Sequence, residues 1–199
     1  MTARTTRAIL ILSAFVVGLA VALGAVMLLA GRGGGPMVGQ ASAVGGPFRL
    51  IDGGGNVVTD QDLRGKPFLV FFGFTHCPEV CPTTLFEVSE VFRRLGPDAD
   101  KAAGLFITVD PERDTPAVMK DYLASFDRHL RGLTGDREAV QAVLKSYRVY
   151  SKKVPLDGGD YTMDHTALVY LMDKQGKFVA PFNVKRSADA AAADLRKYL

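Results

Sequence analysis

Cys77 and Cys81 are the only cysteines in the chain, and three residues separate them. A run of aromatic and β-branched residues, Phe68–Phe72, precedes them and predicts a buried strand. Apolar residues at helical spacing follow, and Pro82 suits the first turn of a helix, where a missing N–H costs nothing. The sulfurs are therefore expected between a buried strand and a helix N-terminus, whose partial positive charge favours thiolate over thiol. Thiolates in that place can bind a soft metal or exchange electrons through a disulfide.

A purely structural disulfide between the two cysteines is the plain alternative. It is the weaker interpretation, because a loop of three residues constrains very little of the unfolded chain. Thioredoxin-type oxidoreductases place two residues between their cysteines. The third residue here widens the spacing of the sulfurs, which suits chelation as well as disulfide formation. Metal binding and thiol–disulfide chemistry both stay open at this point.

Strands and helices alternate through the rest of the globular segment. Strands are expected at residues 48–51, 56–59, 68–72, 104–109, 149–154, 161–163 and 167–172. Helices are expected after Cys81, from Thr115-Pro116, at 137–147 with Leu133–Asp136 as its opening, and after Ser187. Val118, Tyr122 and Phe126 are expected to line one face of the second helix. This order predicts an α/β, thioredoxin-like sandwich with the cysteines at the carboxyl end of a strand, where open sheets place their sites.

His165 lies just before the strand expected at 167–172. In a thioredoxin-like sandwich the loop before this strand lies beside the cysteine loop, so we expect His165 near the sulfurs. Two thiolates and one imidazole are a ligand set for copper. Zinc is the runner-up, but it normally takes a fourth ligand, and none is obvious. His76 should point away from Cys77 and pack or support the site, and His129 is expected on the surface at a helix end.

The segment Asp110–Pro116 follows a strand that should run parallel to the cysteine strand. One interpretation is a turn with local charge pairs and a helix cap at its end. The other is a docking or supporting element on the same face as the cysteines. Both interpretations stay open.

Residues 8–30 are apolar apart from Ser13. As a helix these 23 residues would span about 35 Å, compared with about 30 Å of bilayer hydrocarbon. Arg4 and Arg7 precede the stretch, so the positive-inside bias places the N-terminus in the cytoplasm or matrix. We expect an uncleaved signal anchor, with a cleaved signal peptide as the lesser alternative.

Four segments follow from this pattern. They are a basic cytoplasmic tail at 1–7, a single transmembrane helix at 8–30, a flexible glycine-rich tether at 31–46 and a globular domain at 47–199. The formal charge of the chain is only +3, with both signs interspersed, and so gives no electrostatic footprint for nucleic acid.

Three motifs together resemble the Sco/SenC family. They are Gly73–Pro82, Val109–Pro116 and Asp164–Thr166, in the same order and spacing as in that family. The resemblance implies a thioredoxin-like domain that binds one copper ion, Cu(I) or Cu(II), with Cys77, Cys81 and His165 as ligands. It also implies that Asp110 is a functional neighbour.

The same resemblance implies a biological setting. Family members help to assemble the CuA centre of cytochrome c oxidase subunit II, and an upstream periplasmic copper donor is a further expected partner. The chain would then sit in the bacterial inner membrane with its domain on the periplasmic side, or in the mitochondrial inner membrane facing the intermembrane space. The leading hypothesis is a membrane-anchored copper chaperone. The rival is a thiol–disulfide oxidoreductase that reduces the CuA cysteines of the partner through Cys77 and Cys81. A peroxidase of related fold is a poorer third.

Overall fold

The computed structural model describes residues 13–27 and 44–199. Residues 13–27 form helix α1, whose side chains are exposed. The remainder of the anchor predicted at 8–30, the tail at 1–7 and most of the tether at 31–46 lie outside the described residues. Within the two described ranges, no helix combines the length and the apolar character needed to cross a bilayer.

The last residues of the predicted tether contact the globular domain. Val44 packs against the hydrophobic core. The N–H of Gly45 donates to the carbonyl of Ser146 at 2.9 Å. Gly45 has φ +95, and a Cβ there would lie 2.8 Å from Cε of Met172, so only glycine fits.

Nine strands are found in the globular domain described. They are β1 Arg49–Asp52, β2 Val57–Thr59, β3 Phe68–Gly73, β4 Ala103–Thr108, β5 Leu130–Thr134, β6 Ser151–Pro155, β7 Tyr161–His165, β8 Val169–Met172 and β9 Phe178–Pro181. Seven of them form one mixed sheet in the order β2-β1-β5-β4-β3-β8-β9. Within it β3, β4 and β5 are parallel, and β8 runs antiparallel to β3. Strands β6 and β7 form a separate antiparallel hairpin.

Four helices follow α1. They are α2 Val80–Leu95, α3 Pro116–Leu123, α4 Arg137–Ser146 and α5 Ala188–Arg196. Thr115 and Ser187 cap α3 and α5 as predicted, each accepting a hydrogen bond from a backbone N–H three residues on. Helix α2 packs against α5, and α3 packs against β5. The predicted α/β, thioredoxin-like arrangement is confirmed.

Strand β3 lies in the interior and positions the cysteines. All six of its residues are buried, as its apolar sequence predicted. The Phe72 ring packs against Tyr147 and Tyr170, with ring centroids 5.3 and 5.8 Å apart. The turn that carries Cys77 therefore follows a strand that is fixed by packing on both sides.

One prediction near helix α3 is wrong, and a second is correct only in part. Leu133 and Thr134 belong to β5, between β4 and β1, and do not open a helix. Sheet pairing on both sides outweighs the weak strand propensity of this segment. Tyr122 and Phe126 pack against the core and against each other as expected, but Val118 is 37% exposed and Met119 fills the interior beneath α3 instead.

Candidate metal centre

Both cysteines lie where β3 gives way to α2. Cys77 occupies the connecting turn, and Cys81 is the second residue of the helix, with Pro82 following it in the first turn as predicted. The N–H of Cys81 donates to Sγ of Cys77 at 3.4 Å, which orients the Cys77 sulfur. Both thiols are free and buried. Cys77 is 8% exposed and Cys81 is 0% exposed, so Cys77 is the sulfur nearer to solvent.

Gly73, at the end of β3, makes room for the Cys81 sulfur. A Cβ at this position would lie 2.7 Å from Sγ of Cys81 and 2.8 Å from Cε2 of Phe106. Real Cβ atoms do not approach other atoms so closely, so any larger residue would displace the sulfur or the ring. Gly73 was not singled out in the sequence for this role, although the glycine at the end of a strand signals close approach by another group.

His165 is the last residue of β7, and its ring reaches the sulfurs. Nε2 of His165 lies 3.6 Å from Sγ of Cys81. Nδ1 lies 3.1 Å from the carbonyl oxygen of Thr166. A carbonyl only accepts, so Nδ1 carries the proton and Nε2 presents a lone pair to Cys81. The rings of Phe71 and Phe74 meet the imidazole edge-on at centroid distances of 6.4 and 5.7 Å.

The three predicted ligand residues are thus brought together. The ligand atoms of Cys77, Cys81 and His165 all lie within 4.8 Å of one another. Atoms bound to one metal at about 2.0–2.3 Å in a trigonal plane lie about 3.5–4.0 Å apart, so small adjustments would close this group around an ion. Among the residues described, no fourth histidine, cysteine or carboxylate joins the group. Two sulfurs and one imidazole nitrogen fit copper better than zinc, which normally takes four ligands.

Burial controls the protonation of Cys81 and His165. Burial raises the pKa of the Cys81 thiol, and a backbone hydrogen bond from Phe74 offsets only part of that effect. The sequence led us to expect thiolate at the helix N-terminus, but the interior position of Cys81 outweighs the helix in the metal-free protein. Burial also lowers the pKa of His165, which keeps the imidazole neutral. A bound cation would supply the charge that Cys81 needs to ionise.

Asp114 fixes the cysteine loop to the end of β4. Its carboxylate is fully buried and accepts hydrogen bonds from the hydroxyls of Thr75 and Thr108, both at 2.6 Å. It also accepts from the N–H of Thr75 at 3.2 Å. Burial raises the pKa of Asp114, and these donors work in the opposite direction. Because Thr75 is two residues before Cys77, the carboxylate limits where the cysteine loop can go.

Asp110 connects the same segment to the hairpin that carries His165. Oδ2 of Asp110 pairs with Nε of Arg113 at 2.5 Å. Oδ1 accepts from the hydroxyl of Tyr161 at 3.0 Å. The guanidinium of Arg113 lies 3.8 Å above the Tyr161 ring and donates to the Tyr161 carbonyl at 3.0 Å. The charge pair expected within this segment is present, and it also holds the first residue of β7.

The other two histidines lie away from the group. His76 is exposed, and its Nδ1 lies 3.1 Å from the Thr75 hydroxyl, so it does not pack against the site. His129 is not a free surface residue as expected. Its ring stacks on Phe92 at 5.2 Å, and its two nitrogens face Asp127 and Asp100 at 2.6 and 3.1 Å.

Sequence reasoning missed Asp114, Arg113 and Tyr161 as supports of this group. The charged segment Asp110–Pro116 was a usable signal for the first two, since it follows a strand next to the cysteine strand. Tyr161 gave no such signal, because its contact with Asp110 spans 51 residues of sequence.

Known proteins with similar sequences belong to one family. The family model for SCO1/SenC matches residues 37–199. The bovine "Protein SCO2 homolog, mitochondrial" is 41% identical over 163 residues, which are 80% of this chain and 61% of the bovine protein. This chain therefore spans about three fifths of the length of that relative.

Solved structures agree with the family match. The structure of Bradyrhizobium japonicum ScoI with copper bound is 65% identical, has a TM-score of 0.77, and covers 78% of this chain and 99% of that one. The yeast Sco1 structure with copper bound is 37% identical, has a TM-score of 0.71, and covers 78% of this chain and 87% of that one. With its Cys-Cys-His group and a family match over most of its length, the chain belongs to the SCO1/SenC family.

Proposed function

We propose that this protein is a copper chaperone that holds one copper ion between Cys77, Cys81 and His165. The observation that carries the proposal is the clustering of two sulfurs and one imidazole nitrogen within 4.8 Å, although His165 is 84 positions from the nearer cysteine, Cys81, in sequence. Soft sulfur ligands retain copper strongly, and the neutral imidazole suits Cu(II) as well as Cu(I). The copper held in two related structures supports the same assignment.

Copper is cargo in this proposal. Three protein ligands leave room for a thiolate of a recipient to join the ion before a protein ligand departs. Each copper–sulfur bond that breaks is replaced by one to the recipient, and the released thiolate takes up a proton, so no electron changes hands. Cys77 is the sulfur nearer to solvent and is the first to be exchanged.

The recipient that we propose is the CuA domain of cytochrome c oxidase subunit II, with an upstream copper donor loading the protein. Membership of the SCO1/SenC family supports this proposal. The segment 8–30, preceded by Arg4 and Arg7, would anchor the protein in a membrane. The globular domain would then lie on the periplasmic side of the inner membrane, or in the mitochondrial intermembrane space. Asp110 supports the copper ligands in this scheme through its hold on the His165 hairpin.

A thiol–disulfide oxidoreductase is the second candidate. The free thiols of Cys77 and Cys81 favour it, since their sulfurs lie within 4.8 Å. The Cys77 thiolate would attack a partner disulfide and release one partner thiolate. Cys81 would then displace the other, leaving a Cys77–Cys81 disulfide and a reduced partner. This chemistry uses both sulfurs and has no need for His165.

His165 therefore separates the two candidates. His165→Ala removes one copper ligand but leaves both sulfurs in place. Loss of a direct ligand should weaken Cu(II) binding by more than the roughly 10–100-fold typical of changes around the ligands. The variant should also fail to restore oxidase assembly in cells at limiting copper.

His129→Ala is the matched control, since this histidine lies outside the group and should bind copper as the wild type does. Circular dichroism checks that each variant is folded. If His165→Ala fully restored oxidase assembly and reduced partner disulfides normally, the protein would be an oxidoreductase and the proposed chaperone function would be wrong.

A further inference from the structure

A groove with basic walls lies between helix α4 and strand β6. This α4–β6 groove consists of two adjoining hollows, of about 200 and about 500 Å³, which share Gln141 and Ser151 in their linings. Four basic side chains line the two hollows, and they are Arg137 and Lys145 from the helix and Lys152 and Lys153 from the strand. Arg137, Gln141 and Lys145 are spaced one helical turn apart, so they lie along one face of α4. A ligand in this groove would therefore have cations on both sides.

Two carboxylates also line the α4–β6 groove, but they do not neutralise it. Glu112 is shared between Arg137 and Lys153, so one negative charge faces two positive charges. Asp110 is buried, and its charge is matched by the ion pair with Arg113. The groove therefore keeps an excess of positive charge.

Lys145 and Lys152 contribute most of that excess. Both side chains are exposed, and neither has an ion pair among the residues that the structure describes. Asp164 is opposite Lys152 in the hairpin register, yet the two do not form an ion pair. Residues 139–156 contain four basic residues and no aspartate or glutamate, whereas the whole chain has a formal charge of only +3. The positive charge is therefore concentrated locally.

The α4–β6 groove ends beside the candidate metal ligands. Ser151, which lines both hollows, is paired with His165 across the β6–β7 hairpin. Tyr150 also lines the groove and is 53% exposed, and its carbonyl accepts a hydrogen bond from the N–H of Thr166 at 3.0 Å. A partner held in the groove would therefore have adjoining parts of its surface next to the Cys-Cys-His group.

We propose that the α4–β6 groove binds an extended acidic segment of a protein partner and so holds the copper recipient beside the Cys-Cys-His group. The inference rests on the proposed function and adds to it the chemistry by which the recipient is recognised. Aspartate or glutamate side chains of the segment pair with Lys145 and Lys152. Opposite charges on two proteins steer their encounter and fix the orientation in which they meet.

The shape of the groove favours a polypeptide segment over an anionic membrane. A bilayer surface is flat over the width of a domain and does not enter a hollow between a helix and a strand, whereas an extended chain can. Strand β6 pairs with β7 alone among the strands described, so it leaves one edge to which a further strand can add. An acidic segment in extended conformation therefore suits both the charge and the shape of the groove.

Lys145→Glu combined with Lys152→Glu tests the proposal, because both side chains are exposed and their replacement should not affect folding. Copper-loaded full-length protein in detergent is mixed with the reduced CuA domain of cytochrome c oxidase subunit II, and the rate of copper transfer is followed by absorption. At low ionic strength the variant should transfer copper about tenfold more slowly than the wild type, and the difference should shrink at about 0.5 M salt. Copper affinity, measured by chelator competition, should not change, since no ligand is altered.

Lys120→Glu combined with Lys177→Glu is the matched control. It changes the net charge by the same amount, both lysines are exposed, and neither lines the groove. This control should transfer copper at the wild-type rate. Equal transfer rates in the groove variant and the wild type, or an equal loss in both variants, would overturn the inference.

A measurement without copper separates the inference from the proposed function. Fluorescently labelled polyglutamate should bind the metal-free wild type and the control, and should bind the groove variant about tenfold more weakly, because two surface ion pairs become repulsions. If the wild type failed to transfer copper, the proposed function would be wrong, and polyglutamate binding would still decide the inference. If the groove variant lost only its binding to phosphatidylglycerol vesicles, with normal polyglutamate binding and copper transfer, the groove would be a membrane contact and the inference would be wrong.

Discussion

The carboxylate of Asp110 accepts a hydrogen bond from the hydroxyl of Tyr161, with 3.0 Å between the two oxygens. Tyr161 begins strand β7 and His165 ends it, so the contact fixes the base of the strand that delivers the imidazole. Among the strands described, β7 pairs with β6 alone and is not part of the seven-stranded sheet. This polar contact and the Arg113 side chain beside it therefore help to position His165, the third candidate ligand.

Tyr161→Phe should weaken copper binding without unfolding the protein. The change removes the hydrogen bond to Asp110 but keeps the ring on which Arg113 lies, at a cost of about 1.5 kcal/mol in the free energy of unfolding. We expect about tenfold lower copper affinity, measured by chelator competition.

Asp110→Asn breaks the buried ion pair with Arg113 and should lower the free energy of unfolding by about 3 kcal/mol. Lys101→Gln is the control, because it removes only an exposed ion pair with Asp98 and should change neither the stability nor the copper affinity. Equal effects in all three variants would show that the contact between Asp110 and Tyr161 does not help to position His165.

Gly73→Ala should damage the metal centre in particular. The new methyl group would overlap Sγ of Cys81, so we expect a loss of about 1–3 kcal/mol in stability together with weaker copper binding. Gly104→Ala is the matched control in the neighbouring strand. Its Cβ would lie 2.9 Å from Cδ2 of Leu130 and 3.0 Å from Cε2 of Phe92, away from the sulfurs. It should lose stability but keep its copper affinity, and a normal copper centre in Gly73→Ala would refute the steric explanation.

Cys77 should react with alkylating reagents faster than Cys81. Cys77 is 8% exposed, Cys81 is 0% exposed, and burial raises the pKa of Cys81, so its reactive thiolate is scarce. The reduced, copper-free domain is labelled with iodoacetamide, and peptide mass spectrometry then shows which cysteine reacts first. Cys77→Ser and Cys81→Ser variants confirm the rates one sulfur at a time. Faster labelling of Cys81 would show that it, and not Cys77, is the sulfur that partners meet first.

Copper affinity should rise with pH through the neutral range. The raised pKa of Cys81 means that its thiol is protonated in the metal-free protein, whereas the metal-bound form needs the thiolate. Binding therefore releases a proton at Cys81, and the affinity should gain about tenfold per pH unit for that proton. His165 adds no proton release near pH 7, because its lowered pKa keeps the imidazole neutral. Chelator competition at pH 6, 7 and 8 measures how steeply the copper affinity rises with pH. An affinity independent of pH would contradict the proposal that a protonated Cys81 becomes a thiolate ligand.

The domain after the apolar segment should lie outside the cytoplasm. Arg4 and Arg7 precede residues 8–30, which sets the orientation that the positive-inside rule predicts. A reporter that is active only after export, fused at Leu199, should be active in the full-length chain. Activity confined to a cytoplasmic reporter would remove the proposed location and, with it, the oxidase partner.

The central part of the fold could be predicted because its signals are local. Phe68–Phe72, the two cysteines and Pro82 describe a strand, a turn and a helix start within fifteen residues. The helix caps at Thr115 and Ser187 depend on the residue itself and its next turn. The proximity of Cys77, Cys81 and His165 was also predicted, because the thioredoxin-like arrangement brings the segment ending at His165 to the cysteine turn.

The features that failed prediction depend on distant neighbours. Leu130–Thr134 is a strand because β4 and β1 pair with it on either side, and its own sequence does not indicate a strand. The ionisation of Cys81 was misjudged because its burial is set by β3, Phe106 and the whole sheet, and burial outweighs the helix N-terminus. His129 was taken for a surface residue because its stacking on Phe92 joins two separate segments.

Strand β8, which follows His165 by four residues, pairs with β3 from the far end of the chain. His165, the third candidate ligand, is therefore available to the cysteines only after most of the domain has been synthesised. A nascent or truncated chain ending before residue 165 presents two thiols without the imidazole. The complete Cys-Cys-His group, and with it the proposed copper site, therefore exists only in chains that extend to residue 165.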